Sequence, residues 1–354
     1  MENKEVKRDL SEASQQEMLL KERKANSAWR KLRRNKSAMF GLILVVFVTL
    51  FSLVGPFIYR VDPAAMDFLK VNAKPGTPGL PLGADNLGRD LLARLIHGGR
   101  VSLIVAVGGM AVGAVIGILA GLISGYAGGK VDIIIMRVMD GMSAFPFTLL
   151  ALMLMTALGA GIENVILSIG IASVPGYARM ARGQVLVVKN EEYIKAVKAF
   201  GASNSRILFK HLLPNIVSSL IVYATLNVAG AILTEASLSF LGMGITPPDV
   251  SWGAILKDGQ DVIRSASHIA TYSGLAILIT VLGFNLLGDG IRDVLDPKMK
   301  NKRGDNMNKE PLLKVDNLKT HFKHCYWYSE SSRWCYFFIG FRTDIRNSRR
   351  IRVW

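Results

Sequence analysis

The chain has 354 residues, half of them hydrophobic, and its mean hydropathy is +0.31. Such a composition excludes an ordinary soluble domain, whose surface must be wetted, and indicates a membrane protein. The formal net charge of +16 is also found in nucleic-acid binders, but much of it lies in the leading segment "KERKANSAWRKLRRNK" and between apolar runs, as in membrane proteins with a basic cytoplasmic side. The two cysteines, Cys325 and Cys335, indicate neither a disulfide framework nor a metal cluster.

The first apolar run begins near Ser37, behind a charged head without a cleavable signal pattern, which predicts a cytoplasmic N-terminus. Crossing the hydrocarbon core of a bilayer takes roughly 20 apolar residues of helix. The runs of about that length are Ser37–Tyr59, Val101–Gly129, Val131–Gly159, Asn164–Ala181, Ile216–Gly242 and Ile269–Gly290. The second is rich in Gly and Ala, which lets helices approach closely in lipid. Pro146 is expected to kink the third, and Pro175 and Gly176 to interrupt the fourth.

These runs predict an all-α polytopic membrane protein with six transmembrane helices and both termini in the cytoplasm. Residues 1–36 are its basic cytoplasmic segment, residues 37–297 its transmembrane domain and residues 298–354 a C-terminal tail. The Arg179–Lys210 connection is rich in Lys and Arg and is placed inside, whereas the loop Ile245–His268 carries few basic residues and is placed outside.

A polar segment between the fourth and fifth spans, "EEYIKAVKAFGASNSRILFKHLLPN", runs from Glu191 to Asn215. Tyr193, Val197 and Phe200 recur at helical spacing in its first part, which predicts a short amphipathic helix. Such a segment either transmits force from a soluble partner to the spans or is a solvated connector between them. Helical spacing and charge alone leave both interpretations open.

The second part of this segment carries signals for a bend. Gly201 favours the left-handed conformation that ends a helix, and Ser203 is a suitable cap for a second short helix through Leu212. Pro214 suits the first turn of the following helix, where its missing N–H costs nothing. The prediction is a helix–Gly–helix elbow that is basic on its wet side.

The elbow resembles the coupling loop of ATP-binding-cassette importer permeases, in which a Glu-Ala-Ala triplet precedes a glycine and a Leu-Pro pair follows. The triplet positions here are Lys195, Ala196 and Val197, so the first and third depart from the pattern, while the glycine and the Leu-Pro pair sit at the family's spacing. The resemblance implies that the loop contacts a separate ATPase subunit. The residues assigned to this contact are Lys195, Ala196, Val197, Lys198, Gly201, Arg206, His211, Leu213 and Pro214.

Three further stretches are similar to one branch of that family, the dipeptide, oligopeptide and nickel permeases. They are Leu82–Arg100, which is predicted to contain a short helix around Asp90–His97, Thr234–Gly244 and Leu287–Pro297. The resemblance extends over about residues 29–297. Within the pair of permeases that such systems use, the chain is similar to the second, C-type member.

The resemblance also implies partners, location and substrate. The chain is expected to pair with a second permease subunit in the bacterial cytoplasmic membrane, in contact with lipid. Two ATP-hydrolysing subunits are expected on the cytoplasmic side and a substrate-binding protein on the extracytoplasmic side. Dipeptides or oligopeptides are the implied substrate, with nickel as an alternative. An ion-gradient-driven secondary transporter is the alternative of another class, but the sequence shows no convincing mid-membrane relay or inverted repeat.

The sequence gives no sign of a catalytic or cofactor site. It has no G-x-x-x-x-G-K-[ST] motif and no nucleophile–base constellation, so the chain is not expected to be an enzyme and ATP hydrolysis is assigned to the partner subunits. The lone histidines His97 and His211 have no partner at ligand spacing, which argues against a metal site. No cofactor is expected.

Charges within the spans are functional candidates because they are costly in a membrane. Arg137 and Asp140 lie three residues apart in the third span, which favours a local ion pair or a gate contact. Glu235 comes late in the fifth span, near the outer surface. It is expected to be a water-exposed carboxylate at the membrane interface, or alternatively to form hydrogen bonds in an outer vestibule.

The composition changes after Pro297. Met307–Phe322 resembles the first strand of the ATP-hydrolysing subunits that partner such permeases, and the remaining tail is aromatic, basic and aperiodic. One hypothesis is a read-through into a neighbouring ATPase coding region that then leaves its frame, and the alternative is a genuine cytoplasmic tail. Nucleic-acid binding ranks last, because the tail has no recognisable module.

Overall fold

The computed structural model describes residues 30 and 32–295, and its regular elements there are helices, with two isolated bridges in one loop. In chain order they are α1 (Lys36–Ile58), a short 3-10 helix (Phe68–Lys70), α2 (Leu91–Ala127), α3 (Gly129–Ser143), α4 (Phe147–Leu158), α5 (Ile162–Val188), α6 (Glu192–Ala199), α7 (Asn204–Phe240), α8 (Trp252–Asp261) and α9 (Ser267–Leu295). This confirms the all-α prediction for the described residues. Most of the segment 1–36 and the tail 298–354, with its Met307–Phe322 stretch, lie outside them.

By length and composition the described residues contain four or five candidate spans, which is compatible with the six predicted spans but does not confirm that number. Among the described residues, α1, α2, α7 and α9 are long and apolar enough to cross a membrane, and α3 with α4 form a bent pair that would make a fifth span. The axes of this pair meet at 89°, so Pro146 separates two helices instead of kinking one. The predicted fourth span lies on α5, which is not among these candidates.

The two breaks that the sequence predicted near the fourth and second spans are absent. Pro175 lies inside α5, which continues without interruption to Val188, because neighbouring helices can hold a proline-containing helix together. The predicted short helix around Asp90–His97 is not a separate element either. Asp90 caps α2 by accepting a hydrogen bond from the amide of Ala93 at 2.9 Å, and the helix then runs on to Ala127.

The closest helix contact is between α2 and α5. A row of glycines on α2 faces α5 at intervals of four residues: Gly109, Gly113, Gly117, Gly121 and Gly125. A Cβ at any of these positions would meet α5, and at Gly117 it would lie 2.6 Å from the carbonyl oxygen of Val174. The backbones of the two helices therefore touch over four turns, as the Gly-rich sequence predicted.

A loop segment folds over the Leu91 end of α2. It contains α8, whose first residue, Trp252, is 1% exposed, so the loop is a packed element and not only a turn-rich cover. The indole Nε1 of Trp252 donates a hydrogen bond to the carbonyl oxygen of Leu95 at 2.9 Å. This bond and the buried ring fix α8 to the start of α2.

Candidate functional site

The elbow begins with α6, the short helix that the sequence predicted, and the helix is buried on its Ile194 side. Ile194 is 3% exposed and packs with the partly buried Val197, whereas Tyr193 is 41% and Phe200 is 91% exposed. The hydrophobic cluster under α6 includes Ile207, so the helix turns its Ile194 side toward that cluster. The predicted short helix is therefore present, but of the three residues that indicated it only Val197 is partly buried, and Phe200 projects away from the protein.

The bend of the elbow is confirmed in detail. Gly201 has a φ of +79°, which is the left-handed conformation that ends a helix. Its amide donates to the carbonyl oxygen of Lys198 at 3.0 Å. Ser203 then caps the next helix by accepting a hydrogen bond from the amide of Arg206 at 3.4 Å.

The second part of the elbow is not a separate short helix. Residues 204–206 lead into a π-helical stretch over Ile207–Leu212, which continues directly into the regular helix Leu213–Phe240. The amide of Leu213 donates to the carbonyl oxygen of Leu208, five residues back. This wider turn accommodates Pro214, which lacks a donor, within one continuous helix.

The residues predicted to contact an ATPase lie mostly on the surface of the elbow. Exposed are Lys195, Ala196, Lys198, Gly201, Arg206 and Pro214, and partly buried are Val197, His211 and Leu213. Phe209, which sequence reasoning did not single out, is 53% exposed beside them. The elbow thus presents basic side chains together with two exposed phenylalanines.

The charges of α3 pair with α5 instead of with each other. Asp140 lies 3.5 Å from the guanidinium of Arg179, and Arg137 is exposed and has no ion-pair partner among the described residues. Because α3 packs beside α5, its carboxylates meet the arginines of that helix, and the predicted Arg137–Asp140 pair is wrong. One turn further along α5, Arg182 binds Asp132 through two hydrogen bonds of 2.6 and 2.7 Å.

A cavity of about 500 Å³ lies where the α3–α4 bend, α5 and α7 meet. Its polar groups come from Ser143, Ser173, Tyr177, Arg179, Tyr223, Asn227 and Thr234, and Met110, Met142, Phe145, Phe147 and Leu150 are among its apolar lining residues. The rings of Tyr177 and Tyr223 meet edge to face, with centroids 5.0 Å apart. Arg179 is the one charged residue in this lining. Sequence reasoning did not identify this cavity, because its lining comes from segments far apart in the chain.

The end of the molecule opposite the elbow holds four charged residues, which are here called the cap cluster: Asp85, Arg89, Arg94 and Asp258. Asp85 is completely buried and accepts hydrogen bonds from the amide and side chain of Arg89, at 2.9 and 2.7 Å, and from Arg94. Both arginines also reach Asp258 on α8, at 3.1 and 3.0 Å. Burial opposes ionisation of Asp85, but the arginines and backbone amides hold its pKa below the usual value.

Glu235 is also buried, which overturns the prediction of a water-exposed carboxylate. It has no exposed surface and accepts hydrogen bonds from the hydroxyls of Ser102 and Ser239, both at 2.8 Å. Ser102 in turn accepts a bond from the amide of Trp252 at 3.3 Å. Because α8 folds over this end of α7, Glu235 joins three elements of the fold instead of facing water.

Comparison with known proteins finds two families along the chain. Residues 117–301 match the family described as binding-protein-dependent transport system inner membrane component, and residues 25–75 match the N-terminal transmembrane domain of oligopeptide transport permease C. Among solved structures, the MetNI methionine ABC transporter in an inward-facing conformation has 20% sequence identity and a TM-score of 0.48, over 56% of this chain and 95% of that one.

Curated proteins are more similar in sequence. The di/tripeptide transport system permease protein DppC of Pseudomonas aeruginosa is 40% identical over 278 residues, which cover 77% of this chain and 92% of the relative. The glutathione transport system permease protein GsiD of Pectobacterium atrosepticum is 40% identical, over 77% of this chain and 90% of that protein. The dipeptide transport system permease protein DppC of Bacillus subtilis is 39% identical, over 77% and 85%.

Proposed function

Since the chain belongs to the family of binding-protein-dependent transport system inner membrane components, we propose that it is the C-type permease subunit of an ATP-driven importer of dipeptides or oligopeptides. The relatives are named for the transport of dipeptides, tripeptides or glutathione, all of which are small peptides. These names favour peptides over nickel, and the family favours ATP over an ion gradient as the source of energy.

A permease of this family is a multi-pass component of the inner membrane that works with other subunits. In our proposal those subunits are a second permease, two ATPases and an extracytoplasmic binding protein. The ATPases meet the elbow on the cytoplasmic side, and the binding protein meets the end that carries the cap cluster. The basic side chains of the elbow agree with a cytoplasmic position, and both termini then lie in the cytoplasm.

The observation that carries the proposal is the surface of the elbow. Phe200 is 91% exposed next to a sharp bend, and aromatic residues surrounded by positive charges are typical anchors in protein interfaces. The helix that follows, α7, is continuous from Asn204 to Phe240 and carries Tyr223 and Asn227 into the cavity. Movement of the ATPases against the elbow would therefore reach the lining of the cavity through one helix.

The test uses the complete importer, purified with its ATPase, second permease and binding-protein subunits. Phe200→Ala is expected to leave the unfolding temperature of the chain unchanged and to lower peptide-stimulated ATP hydrolysis and uptake of trialanine into proteoliposomes. Phe57→Ala is the matched control, because Phe57 is 72% exposed at the end of α1. A cysteine at position 200 is expected to crosslink to an ATPase subunit.

Two results would contradict the proposal. The first is full uptake by the Phe200→Ala variant together with a failure of every elbow crosslink to reach an ATPase. The second is a complete importer that takes up no peptide of any length while it transports another solute.

A further inference from the structure

Two arginines of α5 lie one turn apart and face the carboxylates of α3, yet their contacts differ. Arg182 binds Asp132 with two short hydrogen bonds, at 2.6 and 2.7 Å, and both side chains are at most one-third exposed. Arg179 lies 3.5 Å from Asp140, and about half of each side chain is exposed. A charge-assisted hydrogen bond has a length of roughly 2.7–2.9 Å, so Arg179 is only loosely held by its carboxylate.

Arg179 lies in the lining of the cavity, where a loosely held guanidinium can bind a ligand. Arg179 lines the cavity, whereas Asp140 does not, so the described lining contains one cation and no carboxylate. One of the terminal nitrogens of Arg179 donates to the hydroxyl of Ser143 at 2.5 Å, which fixes the guanidinium beside the α3–α4 bend. A guanidinium has five N–H donors in a planar fork that matches a carboxylate. Arg179 therefore has donors to offer to an anionic group in the cavity.

We propose that Arg179 binds the C-terminal carboxylate of the peptide as it crosses the cavity, taking it in place of the carboxylate of Asp140. This inference rests on the proposed function and names the group of the substrate that the cavity recognises. The exchange keeps the Arg179 cation paired with a carboxylate throughout, and the released carboxylate of Asp140, whose side chain is 59% exposed, is left in contact with solvent.

The rest of the lining fits a peptide whose side chains vary. The cavity volume of about 500 Å³ lies within the range of small-molecule sites, which is roughly 300–1,000 Å³. Its apolar surface is formed by flexible methionines and by aromatic rings such as Tyr177 and Tyr223, which adapt to different side chains. Only the ends of a peptide are constant, and the cation of Arg179 matches one of them.

The experiment compares trialanine with trialanine amide, which lacks the carboxylate, in proteoliposomes that contain the complete importer. Each variant's initial uptake rate is divided by the wild-type rate for the same peptide, so that differences in delivery by the binding protein cancel. Arg179→Gln is expected to lower the ratio for trialanine about tenfold, the scale of one lost charge-assisted contact, and to leave the ratio for the amide near one. Arg179→Lys, which keeps the charge and loses the fork, is expected to fall between Arg179→Gln and wild type.

Asp140→Asn separates this role from simple support of the bend, because it removes the ion pair and leaves the cation. If Arg179 binds the peptide, Asp140→Asn retains or increases trialanine uptake. Equal losses for both peptides in Arg179→Gln, or a loss in Asp140→Asn as large as that in Arg179→Gln, would overturn the inference. Lys130→Gln is the matched control, because Lys130 is an exposed cation of α3 outside the cavity lining, and it is expected to change neither ratio.

Failure of the inference can be told apart from failure of the proposed function. A wild-type importer that takes up trialanine, with variants that treat the two peptides alike, leaves peptide import standing and removes the role of Arg179. A wild-type importer that takes up neither peptide removes both.

Discussion

The cap cluster and the elbow lie at opposite ends of the molecule, and their chemistry is opposite as well. In the cap cluster Asp85, Arg89 and Arg94 are buried, and the two arginines are neutralised within the chain by Asp85 and Asp258. In the elbow the basic side chains and Phe200 are exposed and have few contacts. The charges of the cap cluster are therefore satisfied within this chain, whereas the exposed surface of the elbow is the one that we propose to contact an ATPase.

Two glycines show the same contrast at the level of the backbone. Gly88, in the loop beside the cap cluster, has a φ of +76°, and Gly201 has a φ of +79°. A Cβ at Gly88 would overlap the carbonyl oxygen of Asp67, whereas a Cβ at Gly201 would meet nothing within 4 Å. The two glycines therefore share a left-handed conformation, but Gly88 is packed against its own chain, whereas Gly201 faces open space.

The largest effect is expected from breaking the cap cluster. Asp85→Asn leaves two buried arginines with less compensating charge and is expected to lower the free energy of unfolding by about 3–5 kcal/mol. The measurement is thermal unfolding of the purified protein in detergent. Asp249→Asn, at an exposed position of a nearby loop, is the control and is expected to leave the unfolding temperature unchanged. Equal unfolding temperatures for the two variants would show that the cluster does not stabilise the fold.

The same cluster predicts how stability depends on pH. Because the pKa of Asp85 is lowered in the folded protein, its stabilisation is fully present above the unfolded value of 3.8 and is lost as the pH falls through the folded pKa. Between pH 5 and pH 3, wild type is expected to lose more stability than Asp85→Asn. Parallel pH curves for the two proteins would contradict this assignment.

Alanine substitutions at Gly88 and Gly201 compare the stability of the backbone at the two ends of the molecule. Gly88→Ala adds both left-handed strain and an overlap with the backbone, so it is expected to cost about 3 kcal/mol. Gly201→Ala adds only the strain and is expected to cost about 1 kcal/mol. Both losses in the free energy of unfolding are to be measured by denaturant or thermal unfolding of the isolated chain. A larger loss at position 201 than at position 88 would reverse the interpretation of the two ends.

Gly201→Asp tests the elbow by function instead of stability. Its stability is expected to match that of Gly201→Ala within about 0.5 kcal/mol, because the site is open to solvent. In the complete importer it is expected to abolish peptide-stimulated ATP hydrolysis and uptake, since an acidic group then enters a packed interface. Normal coupled transport by this variant would show that the elbow does not receive the ATPase.

A small effect, of the same order as that of Gly201→Ala, is expected from the hydrogen bond that fixes α8. Trp252→Phe removes the bond from Nε1 to the carbonyl oxygen of Leu95 while most of the buried ring is kept. The expected loss in the free energy of unfolding is about 1–2 kcal/mol. Phe57→Ala, at an exposed aromatic position, is expected to lose less, and the reverse order would contradict a structural role for Trp252.

The sequence predicted features that depend on a few neighbouring residues. The left-handed bend at Gly201 and the cap at Ser203 were both confirmed, because each is set by local backbone chemistry. The orientation of α6 did not follow from its sequence, because a short helix with apolar residues on two sides takes its orientation from the cluster beneath it.

The partners of the charged residues could not be predicted from local spacing. Asp140 pairs with Arg179 because α3 packs beside α5, and Glu235 accepts a hydrogen bond from Ser102 of α2 besides the local bond from Ser239, so the partners of both carboxylates include residues far away in the chain. Pro175 was read as an interruption for the same reason, since the packing that keeps α5 continuous lies outside its own sequence. The cavity is lined by residues of α2, α5, α7 and the α3–α4 bend, so it became visible only in three dimensions.

The glycine row of α2 has a consequence for transport. From Gly109 to Gly125 the glycines of α2 lie directly against α5, so at these positions only the side chains of α5 lie between the two helices. In our proposal the two helices form a fixed frame for the protein. Opening toward one side of the membrane or the other then comes from the elements around that frame, the α3–α4 bend and α7, which carry other walls of the cavity.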